Sequence, residues 1–306
     1  MKFESWFEIW LAHKKPELRD SSYNRYKRDM DNLIVPNLGE YELDQLSKEV
    51  LEEFAKKMFK TLSANSAKNI ISHVKSALKY AVEVNEIGVQ YSDAMRYKVK
   101  TDNTIRKKKC LTETQQVQVE AYIKTLPPNK LIGILLCLYT GLRPGELLAL
   151  QWTDVDLDNE VISVTKSCSD GYVDHKGVKV IGEPKTDSSY RLIPIAKPLI
   201  PYLRALKKSN VSGYLIEGKN GKVVSMRSFF NSLDIMLKKL NIPHIGLHGL
   251  RHSFATRANE SGMDMKTLSE LMGHSDVAVT MKVYAHSLSK HKFDMMNMLG
   301  KNLKAV

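Results

Sequence analysis

Residues 247–287 read LHGLRHSFATRANESGMDMKTLSELMGHSDVAVTMKVYAHS, and the rest of the chain is best understood outward from them. His248 and Arg251 are three apart, so a helix places them on one face. Such a pair can hold an oxyanion, because Arg offers a rigid fork of donors and His a donor or a proton acceptor. His274 follows within Leu271-Met272-Gly273-His274, and Tyr284 ends the set with a hydroxyl able to attack phosphorus. Cations, a second imidazole and a phenol are the parts that metal-free phosphodiester transfer needs.

The chain has 306 residues, enough for two domains that each bury a core. Lys and Arg number 46 against 34 Asp and Glu, a net charge of +12 spread along the sequence. That distribution suits a folded protein that binds a polyanion better than a disordered basic arm. Cys110, Cys137 and Cys168 show no Cys-x-x-Cys spacing, which argues against a disulfide framework or structural zinc and for a reducing cytoplasm. Residues 1–15, MKFESWFEIWLAHKK, carry acids within the apolar stretch and so do not read as a signal peptide. No apolar run reaches ~18 residues, so no membrane association is expected. LIGILLCLY at 131–139 is too short to span and reads as a buried helix.

Residues 1–93 are expected to be helical. Phe3, Trp6, Phe7, Trp10 and Leu11 recur at helical spacing up to Pro16. A second helix, capped by Ser21 or Ser22, is expected to run through Tyr23, Tyr26, Met30 and Leu33 and stop before Pro36. A third is expected around Ser47 to Phe59, and a fourth from about Ser63 to Val84. The exposed faces carry Arg25, Lys27, Arg28, Lys68 and Lys75, which are candidate phosphate contacts. Residues 94–109 are polar and basic and read as a linker. Its Arg106, Lys107, Lys108 and Lys109 are placed to lie along a polyanion backbone.

From 110 onward the pattern mixes helices with a small antiparallel sheet. Thr112 and Gln115 form a capping box. An apolar helix over 129–140 stops at Gly141, and Pro144 opens the next. Arg143 therefore sits at a helix start, with Glu146 three residues on to orient it. Val161–Val164, the segments around Lys176-Gly177, and Arg191–Ile195 read as one sheet of about three strands. Lys185 lies at a polar hairpin tip, where its flexible ammonium is a candidate proton donor. Gly262 and Gly273 end helices, Asp264 and Asp276 cap them, and an amphipathic tail at about 289–306 is placed to dock on a neighbouring copy.

Taken together, these motifs resemble the tyrosine recombinase (phage integrase) family over residues 110–290. TGLRPGELLAL at 140–150 resembles its first arginine motif and EPKTDSSYRLIPI at 183–195 its lysine hairpin. LHGLRHSFAT at 247–256 resembles its histidine–arginine helix, and LMGHSDVAVTMKVYAHS at 271–287 its second histidine and nucleophile. Residues 1–93 are similar to the family's core-binding domain by position. The resemblance implies a mainly α fold with a small antiparallel sheet: a SAM-like DNA-binding domain at 1–93, a linker at 94–109 and a catalytic domain at 110–306. It implies catalytic roles for Arg143, Lys185, His248, Arg251, His274 and the nucleophile Tyr284, with Glu146 as orienter. It further implies a site-specific recombinase that works by transesterification without metal, ATP or other cofactor.

The implied partners are double-stranded DNA sites, other copies in a tetramer, and accessory DNA-bending or excisionase proteins. The implied location is the cytoplasm, on the nucleoid. The texture of 246–277 favours an integrase of a mobile element. An Xer-like resolvase of replicon dimers is the alternative, followed by a type IB topoisomerase and a non-catalytic DNA-binding regulator. An extra arm-binding domain is not evident in these residues.

Overall fold

A computed structural model describes residues 1–18, 20–88, 110–127, 131–173, 176–183, 186–210, 212–218, 221–284 and Met296. The side chains of 170–178 and 282–284 lie outside that description. So do Lys185, the linker cations Arg106 to Lys109 and the docking tail apart from Met296. The chain divides into two compact units: Met1–Ile105 with Gly171–Lys176, and Arg106–Asp170 with Gly177–Val306.

The first unit is helical: α1 (Phe3–Lys14), α2 (Asp20–Asp29), α3 (Val35–Leu38), α4 (Lys48–Thr61) and α5 (Ala64–Glu83). Its core is aromatic at one end. Phe3, Phe7 and Trp10 are fully buried, and the Phe7 and Trp10 rings meet edge to face at 4.8 Å. Each such side chain contributes roughly 1.5–3 kcal/mol by leaving water. The Trp6 indole donates to the Ala77 carbonyl at 2.9 Å, which ties α1 to α5. Ser47 and Ser63, near which the third and fourth helices are expected to begin, cap α4 and α5, accepting from Val50 N and Ser66 N.

Two expectations need correction. α2 begins at Asp20, so neither Ser21 nor Ser22 is its cap. Nor does Pro36 stop the chain from coiling: α2 passes through a π-helical turn at Met30–Ile34 directly into α3, with Pro36 in its first turn. Proline lacks an N–H and crowds the carbonyl four residues back. A wider turn just before it accommodates both, since π turns shift the bonding register. The Asn37 side chain donates to the Leu33 carbonyl at 2.7 Å.

The second unit starts with α6 (Glu113–Lys124), whose capping box forms in both directions between Thr112 and Gln115. α7 (Ile132–Thr140) is buried almost all round and ends at Gly141 in the left-handed region, φ 65°. A Cβ at Gly141 would lie 2.4 Å from the Phe254 ring. α8 (Pro144–Ala149) follows, with Pro144 in its first turn.

The strands form two sheets rather than one, which corrects the sequence expectation. β1 (Val155–Asp156), β2 (Val161–Val164) and β5 (Arg191–Pro194) make an antiparallel sheet in the order β1-β2-β5. β3 (Ser167–Val173) and β4 (Lys176–Gly182) pair separately. In the first sheet Ile162 sits opposite both Val155 and Ile193, and all three are buried. This register places Arg191 opposite Val164 at the end of β5. Helices α9 (Ile200–Ser209), α10 (Met226–Lys239), α11 (Leu247–Glu260), α12 (Met265–Met272) and α13 (Val277–Tyr284) complete the unit. α11 packs against α7, and α12 against α11, β5 and α13.

Candidate active site

The site is built around the C-terminal end of α12. A helix leaves its last carbonyls without intrahelical partners, and this end carries the negative pole of the macrodipole. Gly273 turns into the left-handed region, φ 63°, so that Gly273 N donates to the Glu270 carbonyl and His274 N to the Ser269 carbonyl. That is the Schellman pattern. The next three carbonyls in sequence each accept from a different arginine. Arg191 Nε donates to Leu271 O at 2.7 Å, Arg251 Nη2 to Met272 O at 2.5 Å and Arg143 Nη2 to Gly273 O at 2.6 Å.

Each arginine is also held from a second direction. Arg251, 5% exposed, donates through Nη1 to the Gly141 carbonyl at 2.8 Å. Arg143 and Arg191 share Glu146, which is 2% exposed. Arg143 Nη1 reaches Glu146 Oε1 at 2.6 Å, and the Arg143 backbone N–H reaches Oε2 at 2.8 Å. Arg191 makes a bidentate pair with the same carboxylate, at 3.1 and 2.8 Å. Burial pushes the Glu146 carboxyl upward, but the Arg191 and Arg143 contacts outweigh it and leave the pKa below the usual carboxylate value. The carboxylate is thus charged and fully engaged.

Of the residues marked from sequence, Arg143, Arg251 and His274 are brought together at this helix end. His248 lies one turn before Arg251 on α11 and is exposed. His274 Nδ1 lies 2.8 Å from the hydroxyl of Thr280, a buried residue of α13. Tyr284 is the last residue of α13, a helix that packs on both α12 and α11. Lys185 lies outside the described residues, but its flank is anchored here. Thr186 Oγ1 is 3.0 Å from Ser189 Oγ, which accepts from Arg143 Nη1 at 3.4 Å.

Sequence reasoning missed Arg191, which had registered only as the first residue of a strand. Its signal was faint: a charged residue opening a β-strand whose neighbours are apolar. In the first unit, Lys27 is paired with Glu8 and Asp31, and Arg28 lies near Asp29. Arg25 lies over the Tyr26 ring, and Lys68 and Lys75 are exposed on α5.

The fold and this cluster define a helical scaffold with small sheets on which three arginines converge at one helix end. Among the described residues, no group of three His, Cys, Asp or Glu side chains stands close enough to hold a metal ion. The signature of the phage integrase family matches residues 109–291, and that of the phage integrase N-terminal SAM-like domain matches residues 2–59. The chain belongs to the phage integrase family, the tyrosine recombinases.

Among relatives, it is 33% identical to a tyrosine recombinase XerC-like protein of Caldanaerobacter subterraneus over 54% of this chain, and the match spans 48% of that protein's length. It is 26% identical to the transposase from transposon Tn916 of Enterococcus faecalis, covering 94% of this chain and 75% of the other. It is likewise 26% identical to the ICEBs1 integrase of Bacillus subtilis, covering 98% and 83%. A solved structure of the Tn1549 transposon integrase in complex with a circular intermediate DNA matches with a TM-score of 0.82 at 25% identity. That match covers 98% of this chain and 99% of the other.

Proposed function

We propose that this chain is a site-specific DNA recombinase that cuts and rejoins DNA through a 3′-phosphotyrosyl intermediate. The observation that carries this is the seating of Arg143 and Arg251 on adjacent carbonyls, Gly273 and Met272, directly before His274. Two guanidinium groups fixed in this way cost little reorganisation when charge builds on the non-bridging oxygens of a phosphate.

The Tyr284 oxygen attacks phosphorus as its proton passes to His248, since an imidazole can act as a base near neutral pH. The P–O5′ bond breaks, and Lys185 supplies the proton that the departing 5′-oxygen takes up. His274 donates to a non-bridging oxygen. When the Thr280 hydroxyl donates to Nδ1, the imidazole proton is kept on Nε2, where it can do so. The 5′-hydroxyl of a partner strand then attacks the phosphotyrosine and reverses these steps. Bond energy stays in the covalent link, so no ATP is required.

The finer reading is integration and excision of a mobile element. Near full-length likeness to transposon and conjugative-element integrases supports it; a tyrosine recombinase XerC of Xanthomonas campestris is 27% identical over 93% of this chain, so the Xer-like role stands as the second reading. Assembly as a tetramer on two DNA sites is part of this proposal; the lambda integrase, a structural neighbour of this fold, is a tetramer on a Holliday junction. Docking of tail 289–306, accessory DNA-bending or excisionase proteins and a nucleoid location also belong to it, as do phosphate contacts from Arg25, Lys27, Arg28, Lys68, Lys75 and Arg106 to Lys109. No helix among the described residues is long and apolar enough to cross a membrane.

A nicked suicide duplex carrying the ends of the chain's own element tests the core claim. The wild type should form a covalent protein–DNA adduct. Tyr284→Phe should lose the adduct while still retarding the DNA on a gel. An adduct formed by Tyr284→Phe would show that the nucleophile is another residue.

A further inference from the structure

We infer that Arg191 is a positioning residue for strand cleavage: its single guanidinium locks together the three segments that carry Arg143, Lys185 and His274. This rests on the function proposed above and adds a residue to it. The geometry is specific. Arg191 Nη1 and Nη2 take both oxygens of Glu146, the carboxylate that holds Arg143 by its side chain and backbone. Its Nη1 also donates to Ser189 O at 3.0 Å, in the β4–β5 connection, the stretch of sequence to which Lys185 belongs. Its Nε donates to Leu271 O, in the last turn of α12 before His274. The side chain is 7% exposed. A Cβ on Gly273 would stand 3.0 Å from Arg191 Nη1 and 3.0 Å from Ser188 O, so the αL turn is packed directly onto this guanidinium.

Arg191 also controls how tightly Glu146 holds Arg143. With both arginines present, the carboxylate divides its oxygens between two forks. Without Arg191, one buried carboxylate faces Arg143 alone and competes with the phosphate for it. Burial then acts on Glu146 against a weaker opposing charge, so the carboxyl takes up a proton at higher pH and releases Arg143. A residue that merely stabilised the fold would not create such a pH-dependent difference from wild type. A lysine would keep the charge without the planar fork that spans carboxylate and carbonyls.

The test is single-turnover cleavage of the suicide duplex by the full chain, at saturating DNA and from pH 5 to 9, with DNA affinity measured alongside. Arg191→Met should slow cleavage by about 10²-fold, the scale of a misplaced reacting group, while affinity changes less than about threefold. Relative to wild type at the same pH, its rate should recover toward the acid end, where the protonated Glu146 no longer competes with the phosphate for Arg143. Arg191→Met/Glu146→Gln removes both charges, so it leaves no unpaired buried ion. It should cleave no more slowly than Arg191→Met, and its rate relative to wild type should not change with pH, because the two residues act as a unit. Arg191→Lys should recover part of the rate. If Arg191→Met does not fold, Arg191→Lys and the double variant carry the same comparison.

Cleavage by the Arg191 variants within threefold of wild type overturns the inference. So does a pH profile parallel to wild type, or a double-variant loss equal to the product of the single losses. If the wild type itself forms no adduct, the proposed function fails instead, and the two failures are told apart by that one lane.

Discussion

Replacing Glu146 with Gln should expose how much of the catalytic unit's stability depends on one carboxylate. The side chain is 2% exposed and accepts four hydrogen bonds, three of them from guanidinium groups. Glutamine matches its volume but carries no charge, and its amide nitrogen would face donors. Removing one partner of a buried pair typically costs about 3–5 kcal/mol, because the remaining charge is left without compensation. Arg191 is buried and bears that cost, whereas Arg143 is about one-third exposed and can turn toward water. The lower end of the range, about 3 kcal/mol, is therefore expected at pH 7.

The loss should also depend on pH in a defined sense. The folded Glu146 pKa lies below its ordinary value of 4.5, so its contribution is complete above that pH. It is lost as pH falls through the folded pKa, and the gap between wild type and Glu146→Gln should narrow in that acid range. Urea unfolding of the full chain, with hydrogen exchange at α8 and α12 reporting the catalytic unit, measures both. A gap under about 1 kcal/mol at pH 7, below the net worth expected of even one charged hydrogen bond, would refute the reasoning. A gap that stays constant through the acid range would refute it equally.

Three further outcomes are expected. Gly141→Ala should lower stability by about 2–4 kcal/mol, read by urea unfolding, because it adds αL strain to a Cβ contact of 2.4 Å with Phe254. His73 is buried against the Tyr26 ring and its pKa is lowered by desolvation to about 4. Its folded pKa is below the unfolded value, so the first unit should lose about 3 kcal/mol as pH falls from about 6.5 to 4. His73→Phe should flatten that slope in an unfolding series over the same pH range. Cleavage of the suicide duplex should proceed at full rate in EDTA, since Arg143 and Arg251 supply the charge that metal ions supply elsewhere; a strict magnesium requirement would contradict this.

What could be read from the sequence is local chemistry. Thr112 with Gln115, Ser47, Ser63, Pro144, Gly141 and Gly273 each act within one helical turn, so spacing alone placed them at helix ends. The histidines, arginines and tyrosine stood out because their motifs occur in order along the chain. The same local reading failed at Pro36, where packing of Met30, Ile34 and Leu38 into the core favours continuing through a π turn over stopping. It failed again at the strands: alternation marks a strand but not its partner, so two sheets looked like one.

Arg191 belongs entirely to the tertiary structure. Its partners lie 45 residues before it at Glu146 and 80 residues after it at Leu271, distances no periodicity reports. The sequence determined which groups are able to hold a phosphate and which helices begin and end beside them. Only folding decided that three arginines share one helix end and one buried carboxylate. Orphan carbonyls and a desolvated charge must be satisfied, and the nearest donors in space, whatever their place in the chain, satisfy them.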